Sequence, residues 1–301
     1  MTASGALVAE MSEIFDPNCC QIVRADCMEV LPTLDTASFD ALITDPPYSS
    51  GGQYRGDRMQ NASNKYSVAG TKAEYIKHEF EGDNMDQRAF TSWAAHWLAL
   101  CRRAVKPGGV AAIFIDWRQL AALYDAIQWG GWILRGIIPW DKTNGRPHPG
   151  RPRQQCEFIV WASNGPLSIK RSAPHMPGLL TCSPPAARSR THQTEKPLKL
   201  MRQLVHICED GGRIIDPFAG SGTTICAAAL EGFTGLGLER NEYHARIAQD
   251  RLAKTVKEVE GQMIDGAGAS NDWLGAAAGH TPVDREGTKP QPVENNCGHP
   301  H

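Results

Sequence analysis

The chain has 301 residues, a formal net charge of −2 and 41% hydrophobic residues, enough for one large α/β domain or a domain carrying an insertion. No apolar run approaches the ~20 residues that cross a bilayer, and the opening MTASGALVAEMSEIF is too acidic and too weakly apolar for a signal peptide. Nine cysteines, scattered and without a CxxC pair, argue against a zinc site and a disulfide framework; they read as reduced thiols of a cytoplasmic protein with no metal.

In chain order, CQIVRAD (20–26) reads as a short strand ending in a carboxylate. FDALITD (39–45) is a second strand, apolar enough to be buried on both faces of a parallel sheet. Residues 49–86 are polar and rich in Gly, Ser and Asn, with one short helix expected near 73–78; a loop this long inside a compact domain is usually a lid, a binding loop or disordered. DQRAFTSWAAHWLALCRRAVKPGG predicts an amphipathic helix over 87–104, stopped by Pro107-Gly108-Gly109. VAAIFID follows as a strand and WRQLAALYDAIQWGG as a helix closed by Gly130-Gly131. WILRGIIPW and CEFIVWAS are strands flanking a loop rich in Pro, Arg and Gly, and EKPLKLMRQLVHICEDGG is a helix with its glycine stop. RIIDPFAG, GTTICAAALEG, FTGLGLER and NEYHARIAQDRLAKTVKEV give strand, helix, strand, helix. Residues 263–301 show no periodicity and are expected to be a disordered tail, leaving 1–262 as one domain.

Strands alternating with helices predict an α/β fold with a doubly wound, mostly parallel sheet. Ligands of such sheets sit beyond the carboxyl ends of the strands. Asp26, Asp45, Asp216 and Glu239 stand at four of those ends, more carboxylates than solubility requires.

IIDPFAGSGTT is strand, sharp turn, helix. Gly220 and Gly222 permit the tight turn and the close approach of a ligand, and the amide groups at the helix start favour a carboxylate. The third glycine of the dinucleotide fingerprint is missing, as is the Gly-Lys-Ser/Thr of a P-loop. Asp216 would repel a pyrophosphate and welcome an ammonium; Glu239, closing the next strand, suits the two hydroxyls of a ribose. A ligand with an ammonium, a carboxylate, a ribose and no phosphate is S-adenosyl-L-methionine. A tight strand–helix turn with no ligand is the plain alternative.

Charge is unevenly placed. From Lys142 to His192 there are eight Lys/Arg (Lys142, Arg146, Arg151, Arg153, Lys170, Arg171, Arg188 and Arg190) against one acid, Glu157. Such a block in an otherwise acidic chain reads as an anion-binding face, or more plainly as a solvated loop.

In the order ADCMEVL, FDALITDPPY, AVKPGG, CEFIVWASNG, HQTEKPLKLM, DPFAGSGTT and GLGLERNEYHARIAQDRL, residues 20–254 resemble the β-class DNA amino-methyltransferases, which methylate N6 of adenine or N4 of cytosine. Gln193 departs from the proline that the family often has there. The resemblance implies a seven-stranded sheet of the S-adenosylmethionine-dependent methyltransferase type. Its motif order is circularly permuted, its glycine-loop and Asp-Pro-Pro-Tyr strands are neighbours, and a basic target-recognition segment is inserted at 142–190. It also implies that Phe218, Gly220, Ser221, Gly222 and Thr223 surround the methionine part of the cofactor, with Asp216 in the same pocket. Glu239 takes the ribose, Asp26 and Cys27 lie near the adenine, and Thr194, Glu195 and Lys196 open the helix over the methionine end. The partner implied is double-stranded DNA. Arg55, Arg58 and Lys65 in the 49–86 loop, with Arg146, Arg151 and Arg153, are candidate contacts. A homodimer and a restriction endonuclease partner are left open.

The residue types of Asp45-Pro46-Pro47-Tyr48 suit that chemistry. An exocyclic amino group is a poor nucleophile because its lone pair is delocalised into the ring. Two acceptors, the Asp45 carboxylate and the Pro46 carbonyl held rigid by proline, draw it towards tetrahedral geometry. The carboxylate then stabilises positive charge developing on nitrogen. Tyr48 offers a ring on which a flipped base stacks; a core tyrosine at a strand end is the alternative. These readings favour transfer to adenine N6. Cytosine N4, whose enzymes more often have Ser at position 45, is the nearest alternative, and a catalytically inactive DNA-binding homologue a more distant one.

Overall fold

In a computed structural model, the described residues are 15–48, 85–145, 147, 149–184 and 195–264. They form one eight-stranded sheet flanked by helices. The strands are β1 (Cys20–Arg24), β2 (Phe39–Thr44), β3 (Val105–Ile115), β4 (Ile133–Asp141), β5 (Cys156–Ser163), β6 (Leu180–Thr181), β7 (Arg213–Asp216) and β8 (Thr234–Glu239). The helices are α1 (Cys27–Val30), α2 (Gln87–Ala104), α3 (Leu120–Trp129), α4 (Leu198–Leu204), α5 (Thr223–Leu230) and α6 (Glu242–Ile264).

The sheet runs β1-β8-β7-β2-β3-β5-β4-β6. The first five strands are parallel; β5 is antiparallel to both β3 and β4, and β6 is parallel to β4. The strand carrying Asp45 and the strand leading to the glycine loop are therefore direct neighbours, with Ala41 opposite Ile214 and Leu42 opposite Ile215. One strand more than the seven expected is present: β6 is two residues long, too short to leave a periodic signal in the sequence.

Side chains alternate across the sheet as the period of two requires. Leu42, Ala111, Ile113 and Val160 face a layer that includes Phe90, Ala94, Trp97 and Leu98 of α2 and Leu123 and Ile127 of α3. Ala41, Ile43, Ala112, Phe114 and Ile159 face α4 and α5. Helix α2 has the predicted bounds because Asp86 caps it, accepting from the amides of Arg88 and Ala89, while its buried residues recur at helical spacing.

Local differences from the expectation have local causes. Pro107-Gly108-Gly109 does not follow the helix as a stop but lies inside β3. The pairing shifts from Phe39 with Val105 to Ala41 with Val110, and a Cβ on Gly109 would stand 2.6 Å from the Asp40 carbonyl. The helix expected over 195–212 is helical only at Leu198–Leu204, followed by a 3-10 turn at Val205–Ile207. Helix α1, not anticipated, starts because the Asp26 carboxylate accepts from the Met28 amide at 2.9 Å. The helix expected at 73–78 and the tail from 265 onward lie outside the described residues.

Candidate active site

The carboxyl ends of β2, β3, β7 and β8 open into one cavity of about 1210 Å³, lined by both groups of candidate residues. Asp45, Pro46, Pro47 and Tyr48 line it, and so do Asp26, Cys27, Lys196, Asp216, Phe218, Gly220, Ser221, Thr223 and Glu239.

Around the glycine loop the backbone supplies most of the bonds. Gly220 (φ 52) donates its amide to Glu239 Oε2 at 2.9 Å, and the Asn241 amide bonds Oε1 at 2.8 Å. No atom stands within 4 Å of where a Cβ on Gly220 would be, so this turn leaves room at the cavity wall. Gly222 (φ 77) caps α5 and does not line the cavity; a Cβ there would meet Ile22 Cδ1 at 2.7 Å and Ala248 Cβ at 3.1 Å. Its glycine is required by packing against β1 and α6. Asp216 is buried and accepts from the Thr44 hydroxyl at 2.6 Å and the Phe218 amide at 3.1 Å. Thr44 thereby ties the end of β2 to the end of β7. Burial pushes Asp216 up to about 6 and Glu239 up to about 7, against the pull of these hydrogen bonds.

The ring of Phe218 packs against Trp97 and Trp93 of α2, with centroids 5.2 and 5.4 Å away. Thr223 Oγ1 accepts from Arg251 at 3.0 Å, and Arg251 pairs with Glu195 at 2.8 Å. Burial, helped by the neighbouring Asp26, pushes the Cys27 thiol to about 12, so it is a packing group and not a nucleophile.

The Asp45 region is built of side-chain ions instead. Tyr48 donates its hydroxyl to Asp45 Oδ1 at 2.5 Å, and the Lys196 ammonium bonds Oδ2 at 2.7 Å. Lys196 also reaches Tyr48 Oη at 2.9 Å and Glu157 Oε2 at 3.2 Å, and Lys142 holds Glu157 Oε1 at 3.1 Å. The rings of Phe114, Tyr48 and Trp140 lie 5.0, 5.2 and 5.9 Å from the Lys196 nitrogen. Burial raises Asp45 above its ordinary value although Lys196 pulls it back, and burial followed by Asp45 raises Tyr48. Burial alone would raise Glu157, but Lys196 and Lys142 outweigh it and hold the carboxyl low.

The basic segment divides in two. Since β4 and β5 pair with Asp141 opposite Cys156, the 142–155 loop stands on the side of the sheet where Asp45 lies, and Arg151 and Arg153 are exposed on it. Strand β5, within the 142–190 range, lies in the sheet between β3 and β4. Ser163 ends β5 at the opposite side, opposite Val110 and Ile133. Beyond it Arg171 is taken up by Glu209 at 3.1 Å and by the Ile207 carbonyl. Thr194, Arg146 and residues 49–84 of the loop, with Arg55, Arg58 and Lys65, lie outside the described residues.

Sequence reasoning missed Thr44, Trp93, Asp116, Trp117, Glu157 and Trp140. All but Thr44 line the cavity. Glu157 had a signal: it is the single acid of the basic block and stands at the start of an apolar strand. Among the described residues no cluster of three or more His, Cys, Asp or Glu could hold a metal ion, and no helix is long and apolar enough to cross a membrane.

Comparison with known proteins agrees with this geometry. A family model described as DNA methylase matches residues 39–250. The methylase YubD of Escherichia coli (strain K12) is 26% identical over 257 residues, 84% of this chain and 97% of its own length. The type II methyltransferase M.HinfI of Haemophilus influenzae is 25% identical over 253 residues, 77% of this chain and 67% of its own. Three solved structures share the fold. The M1.HpyAVI–SAM complex has TM-score 0.53 and 24% identity, covering 77% of this chain and 98% of its own. TTHA0409 of Thermus thermophilus, complexed with S-adenosyl-L-methionine, has TM-score 0.55 and 23% identity, covering 79% and 96%. The PvuII DNA methyltransferase (cytosine-N4-specific) has TM-score 0.57 and 16% identity, covering 83% and 95%. With the family model running from β2 into α6 and including Asp45–Tyr48, the glycine loop and Glu239, this chain belongs to the DNA methylase family of N6/N4 amino-methyltransferases.

Proposed function

We propose that the chain transfers a methyl group from S-adenosyl-L-methionine directly to the exocyclic N6 of an adenine flipped out of duplex DNA. The observation that carries this reading is the shared cavity, lined by Asp216, Gly220 and Glu239 together with Asp45-Pro46-Pro47-Tyr48. The donor set suits the cofactor. Glu239 spends one bond on each oxygen and keeps lone pairs for two ribose hydroxyls. Gly220 leaves open space, and Asp216 is a buried acid for which a ligand ammonium is a natural partner. When bound, the sulfonium supplies an electrophilic methyl group.

Asp45 and the Pro46 carbonyl are the acceptors for the two N–H bonds of the target amine. They turn its lone pair out of conjugation, and the carboxylate stabilises the positive charge that grows on nitrogen as the N–C bond forms. The S–C bonding pair would return to sulfur, and the surplus N–H proton is then lost to solvent. The Tyr48 ring carries the extruded base, offsetting part of the few kcal/mol that unstacking costs. The 142–155 loop supports DNA contact from the same side of the sheet. An aspartate rather than a serine at position 45 favours adenine over cytosine.

The test is direct. Protein, labelled cofactor and duplex DNA are combined and the nucleosides resolved by mass spectrometry. N6-methyladenine is expected. N4-methylcytosine would overturn the choice of base, and the absence of transfer to any duplex would overturn the reading.

A further inference from the structure

Lys142, Glu157 and Lys196 are charged side chains of this cavity that have no part in the chemistry above. Lys196 is buried, and an ammonium has three N–H donors. All three have acceptors here, Asp45 at 2.7 Å, Tyr48 at 2.9 Å and Glu157 at 3.2 Å. A fixed cation thus stands against the carboxylate that has to attract positive charge developing on the target amine. Left with Asp45 as its sole counter-ion, Lys196 would neutralise the group on which transfer depends.

The structure holds an answer to this. Glu157 shares the ammonium from the other side, and its second oxygen is bound by Lys142 at 3.1 Å. Asp45, Lys196, Glu157 and Lys142 alternate in sign, two acids with two lysines. Glu157 is the second residue of β5, paired with Trp140 of β4 and set within a sheet rather than a loop, so its carboxylate is rigidly aimed. What favours a proton on Asp45 also favours a nascent ammonium beside it, and Glu157 acts on Asp45 in that sense.

Building on the methyl-transfer reading, we propose that Glu157 is a positioning residue for that reaction: it takes up the Lys196 charge so that the Asp45 carboxylate remains available to the target amino group.

Single-turnover methylation of duplex DNA by wild type, Glu157→Gln and Glu157→Asp, with separate measurement of cofactor and DNA affinity, tests this. Glu157→Gln should lower the single-turnover rate 10- to 100-fold, with both affinities within threefold of wild type. Glu157→Asp, which keeps the charge one methylene further back, should fall between the two. Should the glutamine variant fail to fold, the aspartate variant decides alone: at least a threefold loss of rate at unchanged affinities supports the proposal. A wild-type rate overturns it, and so does a loss of rate matched by equal losses of both affinities, which marks a merely structural network. If wild type itself transfers no methyl group, the methyl-transfer reading fails. Activity indifferent to Glu157 sinks only this inference.

Discussion

The two halves of the cavity are held together by opposite means. Around the glycine loop, acids bond to backbone amides and a hydroxyl, and among the described residues no lysine or arginine pairs with Asp216 or Glu239. Both are pushed up, to about 6 and about 7, because burial is not offset by a cation. Around Asp45 the cations are resident: Lys196 and Lys142 alternate with Asp45 and Glu157. Two buried acids without a cation partner suit a ligand that brings positive charge, and an acid already balanced suits a neutral one. The sulfonium and ammonium of the cofactor fit the first half, and the uncharged amine of a nucleobase fits the second.

The strongest way to break this comparison is Asp45→Ala. If the Asp45 half acts mainly on charge that appears in the transition state, the substitution should fall on the chemical step. A loss on the order of 100- to 1000-fold in single-turnover rate is expected. Cofactor affinity, set by the other half, should stay within a few-fold. A comparable loss of cofactor binding in calorimetry would show that the halves are not separable.

The reciprocal experiment is Glu239→Ala. Losing a charge-assisted hydrogen bond costs about 1.5–3 kcal/mol, roughly ten- to a hundredfold in cofactor affinity. The single-turnover rate at saturating cofactor should change far less. The pH dependence sharpens the point. Glu239 has a folded value of about 7 against an ordinary 4.5, so the native state holds more protons than the unfolded chain between those values. Its stabilising contribution is complete below about 4.5 and is lost as pH rises through about 7. The ligand prefers the ionised acceptor, so cofactor affinity should rise over the same interval, with proton release. Glu239→Gln should flatten both curves above about pH 6, leaving the share of Asp216 below it; a titration of wild type that is level from pH 6 to pH 8 would remove Glu239 from the site.

How these halves could be read from the sequence differs as well. The glycine-loop half is contiguous: strand, Asp216, turn and helix occupy a dozen positions, and each residue's conformational demand is local. Asp45 was legible for the same reason, as the polar end of an apolar strand. That Lys142, Glu157 and Lys196 gather around it was not, because they meet only after β5 has been inserted antiparallel between β3 and β4. The sequence contains no signal for that pairing across about fifty positions. Short elements escaped too, since two-residue β6 and four-residue α1 depend on register and on one capping side chain. Gly222 was legible as a turn glycine, but its packing against Ile22 and Ala248 needed the strand order.

In the proposed reaction Tyr48 serves both as the ring for the base and as a member of the ion chain, and the two parts can be separated. Stacking alone needs only a ring. The hydroxyl, however, bonds Asp45 at 2.5 Å and accepts from Lys196 at 2.9 Å. Tyr48→Ala should weaken capture of the flipped base by about 1–3 kcal/mol. Tyr48→Phe should keep that capture and lose about 1 kcal/mol, roughly fivefold, from the rate alone. Fluorescence of a 2-aminopurine placed at the target position reports the first effect and single-turnover kinetics the second. Equal behaviour of the two variants would mean that the ring does not carry the base.

The smallest effect is expected outside the cavity, where the basic segment divides between the two sides of the sheet. Arg151 and Arg153 are exposed on the loop beside the Asp45 end of the sheet, whereas Arg171 is bound by Glu209 on the opposite side. Only the first pair is placed to meet a duplex whose base enters the cavity. Each phosphate contact removed should lower the slope of log affinity against log salt by about one and weaken binding severalfold at moderate salt, alike for all sequences. Arg151→Ala and Arg153→Ala should each do this and leave the single-turnover rate at saturating DNA intact. Arg171→Ala should leave the slope unchanged and cost stability, since it strips a partner from Glu209 and from the Ile207 carbonyl. A relaxed preference at one base pair, in place of a uniform loss, would make the arginine a reader of sequence and not an anchor on the backbone. If instead Arg171 changes the slope and the other two do not, DNA lies on the opposite side of the sheet, and the assignment of the Asp45 half to a flipped base falls with it.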